Sequence, residues 1–394
     1  MTPHEKLQAL LSRRKVTVPE VTPRIQAEMS AQALMNNYRA IESIVPEQLI
    51  LPMVKANAYG HGMLWAARLL ENEAKLYGFG VATLDEAAQL RKALKPKKQP
   101  IPILVFSEAS HWSNAKGEVC LDLELTPVIT SESDWVSFKK NGWSKKLSYE
   151  VQFNTGMNRL GMDFSFLSAF SKAMKTLPLA EHPQGVFTHL AISETPDDPL
   201  TQSQMLQYRK IKKALEPLLP QAHFHFANSG AIWNAKKYPF EELSSVVRPG
   251  LALYGVTPWF KAPQRGLIPV MTVKAQVAAI HRLKTGDCVG YGGTYRVKGR
   301  EPVYAAVLSA GYADGIHRAL GNQGHAWSRG QLTRFLGRVS MDLCTVAVWK
   351  SSQVGDEFEI LGPHVDPWLQ ANAAGTIPYE LFTALSERVK RVYV

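Results

Sequence analysis

Residues 76–93, LYGFGVATLDEAAQLRKA, have the pattern of one complete β–α unit. The same pattern recurs along much of the chain. The apolar run at 76–82 predicts a buried strand, and Thr83 follows it directly. Thr83 and Glu86 have the spacing of a capping box, in which each side chain bonds the backbone N–H of the other at a helix start. The residues that follow are amphipathic, so a strand is expected to lead directly into a helix.

The same alternation of strand and helix extends over about residues 46–255. Strands separated by helices are expected to be parallel. Eight of them match a (β/α)8 TIM-type barrel; a doubly wound open sheet is the alternative, and the strand count favours the barrel. The strand candidates are Leu49–Lys55, Leu76–Ala82, Pro102–Phe106, Glu124–Ile129, Leu147–Asn154, Gly185–Leu190, His223–Asn228 and Val246–Tyr254.

The pattern changes after TPWFKAPQRG at 257–266. The later residues form β-type segments whose linkers contain Gly and Asp, such as KTGDCVGYGG at 284–293, without comparably strong helices between them. This arrangement is typical of a mostly antiparallel β domain. We therefore predict an N-terminal extension at 1–22, a barrel at 23–258 and a C-terminal β domain at 259–394.

Composition excludes several classes of protein. The net charge is +11, but the basic residues are scattered and do not form an aromatic and basic stripe, so we expect a solvated basic surface rather than a nucleic-acid site; the charge would also suit anionic small molecules. Three separated cysteines predict neither a disulfide framework nor a structural metal site. The sequence has no apolar run of about 20 residues and no convincing signal peptide, so we expect no membrane association and a cytoplasmic location.

The stretch VKANAYGHG at 54–62 places Lys55 at the end of the first predicted barrel strand. In such barrels the active site lies at this end of the strands. Apolar surroundings lower the pKa of a lysine, and a neutral amine can form a Schiff base with a carbonyl. The alternative from position alone is a lysine whose amine extends to solvent.

Two later strand ends predict a phosphate site. ANSG at 227–230 offers Asn228 and Ser229 as short donors, and Gly250 in RPGLALYG allows close approach of a ligand to the backbone. The loops after the seventh and eighth strands are the usual phosphate site of this barrel. A Schiff-base lysine together with a phosphate pocket suggests pyridoxal 5′-phosphate, which carries both an aldehyde and a phosphate.

Taken together, these motifs resemble those of the alanine racemase family, over about residues 23–390. The resemblance implies a pyridoxal-phosphate enzyme of fold type III, with a barrel, a C-terminal β domain and a small amino acid as substrate. VKANAYGHG matches the cofactor-lysine motif of that family. The further matches, in chain order, are NTGMNRLG, THLA, ANSG, RPGLALYG, GYADG, GRVSMD and IPYE.

The resemblance implies a two-base mechanism. Lys55 would hold the cofactor and act as one acid/base group, and Tyr312 of GYADG would act on the other face of the substrate, because one group cannot easily reach both faces of a planar intermediate. In the family, the equivalents of Tyr312 and of Met341, whose backbone N–H contacts the substrate carboxylate, come from the neighbouring subunit. A homodimer with composite active sites is therefore implied.

The resemblance also implies the cofactor contacts. Arg248 would face the pyridine nitrogen, where a permanent cation disfavours ring protonation and favours racemisation over transamination. A related family of basic amino-acid decarboxylases places an acid there instead. His189 of THLA would orient Arg248. The residues expected around the phosphate are Tyr59, Asn228, Ser229, Gly250 and Tyr379.

The sequence departs from the family at one point. Arg159 matches the arginine near the substrate carboxylate, but the lysine that is carbamylated in many members is replaced by Gln152, and an aspartate by Asn154. Gln152 supplies no charge. It could hold Arg159 by a neutral hydrogen bond, or a bound anion such as chloride could occupy the space.

The function expected from the resemblance is interconversion of L- and D-alanine, supplying D-alanine for peptidoglycan. A broader-specificity amino-acid racemase on the same scaffold is the first alternative. A cofactor-binding protein without turnover is the second, but the β domain with Tyr312 and Met341 argues against it.

Overall fold

The computed structural model describes residues 23–108 and 112–394, so the predicted extension at 1–22 lies outside the described residues. After strand β1 (Ile25–Met29), the next nine strands build a parallel barrel. Strands β3 to β8 form one parallel sheet, and β2, β10 and β9 form another. The barrel strands are β2 (Leu49–Ile50), β3 (Phe79–Val81), β4 (Ile103–Val105), β5 (Thr126–Ile129), β6 (Glu150–Gln152), β7 (Gly185–Phe187), β8 (His223–His225), β9 (Ala227–Asn228) and β10 (Val246–Arg248).

The two parallel sheets join into one barrel. Parallel bridges connect Ile50 with Leu76 and Met53 with Gly80, which links β2 to β3. On the other side, β8 and β9 are successive segments separated only by Phe226, so they act as one of eight barrel positions. The predicted barrel, rather than the open sheet, is confirmed.

Helices alternate with these strands and cover the outside of the barrel. The predicted capping box is confirmed, since the Glu86 N–H donates to the Thr83 hydroxyl at 3.2 Å and the Thr83 N–H to the Glu86 carboxylate at 3.4 Å. The helices are α1 (Ala31–Ile44), α2 (Met63–Leu70), α3 (Leu84–Ala93), α4 (Asn114–Asp122), α5 (Glu132–Lys140), α6 (Leu167–Met174), α7 (Pro199–Leu215), α8 (Ser229–Trp233) and α9 (Phe240–Leu243). None of the described helices is long and apolar enough to cross a membrane.

The first and last barrel strands are shorter than predicted. The strand expected at Leu49–Lys55 ends at Ile50, and the one expected at Val246–Tyr254 ends at Arg248 and is followed by a 3-10 helix, Leu251–Tyr254. In both cases a proline comes soon afterwards, Pro52 and Pro249. Proline has no N–H to donate to a neighbouring strand, so the regular strand pairing is interrupted there, and after Pro52 only the isolated bridge from Met53 to Gly80 remains.

The remaining residues form a mostly antiparallel sheet centred on the long strand β11, as predicted. β11 pairs antiparallel with β1, β14 and β18. Two short helices, α10 (Pro367–Ala374) and α11 (Pro378–Thr383), pack against this sheet. The strands are β11 (Met271–Leu283), β12 (Cys288–Val289), β13 (Tyr295–Arg296), β14 (Val303–Leu308), β15 (His325–Ser328), β16 (Gln331–Arg334), β17 (Cys344–Val348), β18 (Glu357–Leu361) and β19 (Lys390–Tyr393).

Strand β1 does not belong to the barrel sheets, although it lies within the segment predicted as barrel. It pairs antiparallel with β11 and parallel with β19, so the C-terminal sheet contains residues from both ends of the described chain. Burial explains the pairing, because Ile25, Ala27 and Met29 alternate with more exposed residues and lie in the core of the β domain. The predicted boundaries at 22 and 258 themselves stay a prediction.

A layer of apolar side chains fills the barrel beneath its mouth. These residues come from β4, β5, β7 and β10 and from the residue after β2, and all are buried. Such layers make the interior of this barrel a packed core rather than a channel. The layer consists of Leu51, Leu104, Val128, Phe187 and Val246.

Asn37 of helix α1 fixes the segment that leads from the barrel to the β domain. Its side chain is buried and bonds the linker backbone twice, donating to the Ile268 carbonyl at 2.8 Å and accepting from the Ile268 N–H at 2.8 Å. It also donates to the Leu253 carbonyl at 3.2 Å. A single amide thereby satisfies backbone groups that would otherwise be buried without partners.

We expect Asn37→Ala to lower the free energy of unfolding by about 1–3 kcal/mol, because it leaves buried backbone groups unpaired. The control is Asn36→Ala, which removes one bond from an exposed side chain to the Gly266 carbonyl and should change stability by no more than about 0.5 kcal/mol. Urea unfolding of both variants at one protein concentration checks this, and equal effects would contradict it.

Candidate functional site

A pocket of about 520 Å³ opens at the C-terminal ends of the barrel strands. It is lined by residues from the barrel and from helix α11. Nine residues predicted from the sequence as site residues line it, together with Gln152. These nine are Lys55, Tyr59, Arg159, His189, Asn228, Ser229, Arg248, Gly250 and Tyr379.

The segment after Lys55 is a left-handed turn. Ala56, Asn57, Ala58 and Tyr59 have φ angles of 50°, 52°, 55° and 52°. Each such residue costs about 1–2 kcal/mol relative to the right-handed conformation, because its Cβ approaches the following carbonyl oxygen. The strain is local to the pocket, which both Lys55 and Tyr59 line.

Hydrogen bonds hold this turn in place. The Ala58 N–H donates to the Val54 carbonyl at 2.7 Å, and the Gly60 N–H to the Ala56 carbonyl at 2.9 Å. Gly60 ends the turn at φ 81°, and a Cβ there would lie 2.4 Å from the Phe382 carbonyl oxygen. Glycine is therefore required at this position both for its conformation and for space.

His61, which follows the turn, forms hydrogen bonds with the turn backbone. Its side chain is fully buried, and its Nδ1 bonds the carbonyls of Ala58 at 3.0 Å and Tyr59 at 2.9 Å. Carbonyls only accept, so Nδ1 carries the hydrogen. The ring stacks on Tyr254 at 4.5 Å between centroids. Burial lowers the pKa of His61 to about 4, so it is neutral at pH 7.

The Lys55 amine lies in surroundings that favour its neutral form. Burial lowers the pKa of Lys55, and the nearby Arg159 cation lowers it further. The Glu86 carboxylate acts in the opposite direction. A lysine with a depressed pKa has more of the unprotonated amine that attacks a carbonyl.

A cluster of hydroxyl and amide groups lines the same pocket as this lysine. The Gly250 N–H donates to the Ser229 hydroxyl oxygen at 3.0 Å, and the Ser193 hydroxyl donates to Asn228 Oδ1 at 2.6 Å. Asn228 also caps helix α8 through the Ala231 N–H at 3.2 Å. A Cβ at Gly250 would lie 2.8 Å from the Tyr59 hydroxyl oxygen, so that hydroxyl lies directly against the Gly250 backbone.

Two tyrosines at this cluster keep their protons. Burial raises the pKa of Tyr59, and burial together with the Glu194 carboxylate raises the pKa of Tyr379 to about 12. Their rings pack together at 5.5 Å between centroids. Neutral phenols donate hydrogen bonds, so this wall of the pocket suits an anion.

Arg248 lies on the pocket floor and is held through both terminal nitrogens. Nη2 donates to the carbonyls of Thr188 at 2.8 Å and Phe226 at 3.2 Å, and Nη1 bonds His225 Nδ1. The guanidinium lies over the Phe187 ring, 4.8 Å from its centroid. These contacts fix the orientation of a fully buried cation.

His225 connects Arg248 to a buried carboxylate. Its Nε2 bonds Glu150 Oε2 at 2.9 Å, and the Tyr77 hydroxyl donates to Glu150 Oε1 at 2.7 Å. Arg248 only donates and an ionised Glu150 only accepts, so His225 must carry its hydrogen on Nε2 and accept at Nδ1. The resemblance assigns the orientation of Arg248 to His189; this is corrected, since His225 makes the contact.

The charges in this network balance. Burial would raise the pKa of Glu150, but His225, Tyr77 and Arg248 outweigh it, and the pKa lies below its usual value. Burial lowers the pKa of His225 to about 4 and that of Arg248 to about 10, in both cases against the influence of Glu150. At pH 7 a neutral histidine therefore separates a carboxylate from a guanidinium.

His189 itself lines the pocket instead of supporting the floor. Burial and the cations Arg248, Arg159 and Lys55 lower the pKa of His189 to about 3. A neutral imidazole thus lies near two guanidinium groups, Arg248 and Arg159, and adds no further charge to the pocket.

The departure at Gln152 has a local explanation in the structure. The Gln152 amide donates to the Leu160 carbonyl at 3.0 Å, next to Arg159 in the chain. Asn154 Oδ1 accepts the Asn158 N–H at 3.0 Å. Neutral amides therefore hold the loop that carries Arg159, through its backbone.

Tyr312 and Met341 lie away from this pocket, on the surface of the β domain. Their side chains are 43% and 54% exposed. The Tyr312 N–H donates to the Ser340 carbonyl at 2.9 Å, so the two loops are adjacent. Asp314, which is fully buried, pairs with Arg24 and Arg388 and holds the turn that carries Tyr312.

Sequence reasoning missed Glu150 and His225. Each is a charged or polar residue next to an apolar one, Val151 or Phe224, within a short barrel strand, and this was the available signal. It also missed the second contact of Glu86, whose Oε1 accepts the Ala56 N–H at 2.6 Å. Only the left-handed turn brings that N–H to helix α3.

Comparison with protein families adds to this geometry. Residues 29–258 match the family model described as alanine racemase, N-terminal domain, and residues 270–393 match alanine racemase, C-terminal domain. Alanine racemase of Legionella pneumophila (strain Lens) is 34% identical over 364 residues, which cover 91% of this chain and 96% of the relative.

Solved structures agree with the fold. Alanine racemase from Streptomyces lavendulae, a producer of D-cycloserine, superimposes with a TM-score of 0.83 at 28% identity, covering 95% of this chain and 98% of the other. Alanine racemase from Bartonella henselae with covalently bound pyridoxal phosphate gives a TM-score of 0.82 at 30% identity, covering 95% and 100%.

The network below Arg248 predicts graded losses of stability. Glu150→Leu leaves a buried cation without its counter-charge and should cost about 3–5 kcal/mol. Tyr77→Phe removes only one bond to the carboxylate and should cost about 1.5–3 kcal/mol. Chemical unfolding of the two variants checks this order, and a Glu150→Leu variant as stable as the wild type would contradict the charge balance.

His61 predicts a pH dependence of stability. Its pKa is about 4 folded and 6.5 in the unfolded chain, so only the unfolded state takes up a proton between these values. The free energy of unfolding should fall by about 1.4 kcal/mol per pH unit below pH 6.5 from this residue alone. His61→Asn, measured by urea unfolding at several pH values, should flatten the profile by that slope. The exposed control His281→Asn should not.

Proposed function

The chain belongs to the alanine racemase family, and on this premise we propose that it interconverts L-alanine and D-alanine with pyridoxal 5′-phosphate as cofactor. The observation that carries the proposal is a single pocket that combines Lys55, a cluster of neutral donors and a buried Arg248. Lys55 can react with an aldehyde, the neutral donors can bind a phosphate, and Arg248 can face a ring nitrogen. The expected division into 1–22, 23–258 and 259–394 is part of the proposal.

The residues present fit this cofactor. The space above Gly250 and beside Ser229 is bounded by the Tyr59 hydroxyl, and a Cβ at Gly250 would fill it. Tyr59, Ser229, Tyr379 and the Gly250 backbone would hold the phosphate, and Lys55 the aldehyde carbon. When bound, the cofactor supplies an electron-withdrawing ring that makes the substrate Cα–H acidic.

Proton transfer is assigned to two residues. Lys55, whose pKa is lowered by burial, exchanges a proton with Cα on one face. The partner subunit's Tyr312 exchanges a proton on the opposite face, because inversion at Cα requires removal and delivery on different sides. Arg159, beside Lys55 in the pocket, and the backbone N–H of the partner subunit's Met341 would hold the substrate carboxylate.

The exposure of Tyr312 and Met341 supports a homodimer with composite sites. Both side chains lie on the surface of the β domain, close to exposed Leu343. The pocket mouth carries a further exposed apolar side chain, Ile377, which is 50% exposed. A second chain whose β domain covers this mouth would bury these apolar groups and bring its tyrosine to the substrate.

Arg248 determines which atom regains the proton. With the cofactor bound, a fixed cation beside the ring nitrogen would oppose its protonation, and the ring would supply a weaker electron sink. Arg248 would thereby favour return of the proton to the substrate Cα over transamination. The bonds to His225, Thr188 and Phe226 keep Arg248 in that place.

A broader amino-acid racemase is the second candidate, and Gln152 favours it. The family lysine that carries a carbamate near Arg159 is absent, and a neutral amide bonds the loop backbone instead. Racemisation assays with alanine, serine, lysine and arginine separate the two candidates by their relative kcat/KM. Supply of D-alanine for peptidoglycan and a cytoplasmic location are also part of the proposal.

One experiment tests the cofactor and the reaction together. Purified protein loaded with pyridoxal phosphate is reduced with borohydride, digested and analysed by mass spectrometry, while an unreduced sample is assayed for conversion of L- to D-alanine by chiral chromatography. We expect the cofactor on the Lys55 peptide and racemisation in both directions. Loaded protein that converts none of the four amino acids would refute the proposed function.

The two-base assignment predicts complementation between inactive variants. Lys55→Ala and Tyr312→Phe should each lower kcat by about 10²–10⁴-fold or more. A mixture of the two, unfolded and refolded together, should regain activity, since a heterodimer contains one site with both groups intact. The control Tyr291→Phe changes a 73% exposed tyrosine of the same domain and should retain activity. If mixing restores nothing, Tyr312 does not act across the subunit interface.

A further inference from the structure

Glu86 joins three backbone segments that meet beside the pocket. Its Oε2 accepts the Ala82 N–H at 2.8 Å and the Thr83 N–H at 3.4 Å, at the end of strand β3 and the start of helix α3. Its Oε1 accepts the Ala56 N–H at 2.6 Å, one residue after Lys55. The carboxylate thus ties the cofactor-lysine turn to the next β–α unit of the barrel.

The hydrogen bond from the Ala56 N–H to Glu86 lies where the left-handed conformation begins. Ala56 is the first of the four residues with φ between 50° and 55°. The Ala56 N–H lies beyond the strand pairing that follows β2, whose last bridge is at Met53. An acceptor supplied by another element therefore stabilises the first left-handed residue, and with it the direction in which Lys55 leaves the backbone.

We propose that Glu86 is a positioning residue that clamps the left-handed turn and thereby holds Lys55 in the pocket. The clamp follows from the geometry alone; its importance for turnover rests on the proposed function. Glu86 does not contact the substrate in this proposal. It acts through the backbone of the residue next to the catalytic lysine.

The charge of Glu86 has a second effect. Two groups face the Lys55 amine with opposite influence, since Arg159 lowers the pKa of Lys55 and Glu86 raises it. Burial lowers it most. Replacing Glu86 by a neutral residue should therefore lower the pKa of Lys55 further.

Asp85 provides a matched control. It lies next to Glu86 in the first turn of helix α3, where both carboxylates interact favourably with the helix dipole. Asp85 is exposed, whereas Glu86 is partly buried. Asp85→Asn and Glu86→Gln thus remove the same charge from the same helical turn, but only the second alters the bond to Ala56.

The test measures amide hydrogen exchange over residues 54–62 in the full chain without cofactor. Gln offers one oxygen where Glu86 uses two, so Glu86→Gln must lose at least one of its bonds. We expect exchange in this segment to rise about 10–100-fold, as for loss of a hydrogen bond to a charged group, while other peptides and the Asp85→Asn variant remain as in the wild type. Equal exchange in the two variants, or a rise spread over the whole chain, would overturn the proposal.

Titration of Lys55 provides the second readout. Competitive labelling of the same protein with acetic anhydride, followed by mass spectrometry of the Lys55 peptide, gives the pKa of this amine. Glu86→Gln should lower it and Asp85→Asn should not; an unchanged value in both would count against the clamp. If Glu86→Gln does not fold, Glu86→Asp shortens the side chain while keeping the charge, and wild-type exchange in that variant would overturn the proposal.

Kinetics of the loaded enzyme complete the comparison. Glu86→Gln should lower kcat about 10–100-fold with little change in KM, because a displaced lysine no longer meets the substrate Cα in the right geometry. Asp85→Asn should keep wild-type kcat. Loaded wild-type protein without racemase activity would refute the proposed function, whereas exchange and labelling, measured without cofactor, would still decide whether Glu86 clamps the turn.

Discussion

The pocket depends on a backbone segment that adopts the unfavourable left-handed conformation. Four consecutive left-handed residues after Lys55 are unfavourable by themselves, and they persist because hydrogen bonds from surrounding residues stabilise them. Glu86 of helix α3 accepts their first N–H, and buried His61 bonds two of their carbonyls. Packing and hydrogen bonding elsewhere in the barrel thus stabilise one strained segment, and that segment brings the Lys55 amine and the Tyr59 phenol into the same pocket.

The second constraint is electrostatic. Burying the Arg248 guanidinium without a counter-charge would cost free energy. The Glu150 carboxylate supplies that counter-charge, and the neutral His225 imidazole lies between the two and bonds both. Glu150, His225 and Arg248 come from three strands, so the balance of charge also links those strands. Burial is the main cause that lowers the pKa of both His189 and Lys55; Arg248 and Arg159 add to this effect at His189, and Arg159 adds to it at Lys55.

The sequence predicted the features that are local or repeated. The capping box at Thr83 and Glu86, the eight barrel positions and the change to antiparallel strands after residue 266 all follow from short patterns, and all are present. The ends of strands β2 and β10 were placed too late, because the effect of Pro52 and Pro249 was not included. The support of Arg248 was assigned to His189 by resemblance, whereas His225 makes that contact. Periodicity alone cannot show which of two histidines, His225 in β8 or His189 just after β7, reaches an arginine 23 or 59 residues away, since side-chain direction within the barrel decides it.

The pairing of β1 with β11 and β19 has a consequence for biosynthesis. Residues 25–29 leave the ribosome long before residues 271–283 and 390–393, the two strands that flank them. The intervening barrel can form as soon as its own strands are made. Until β11 is made, strand β1, with its alternating apolar residues, has no strand to pair with. During synthesis this strand is open to unwanted pairing until residues 271–283 and 390–393 are available to flank it.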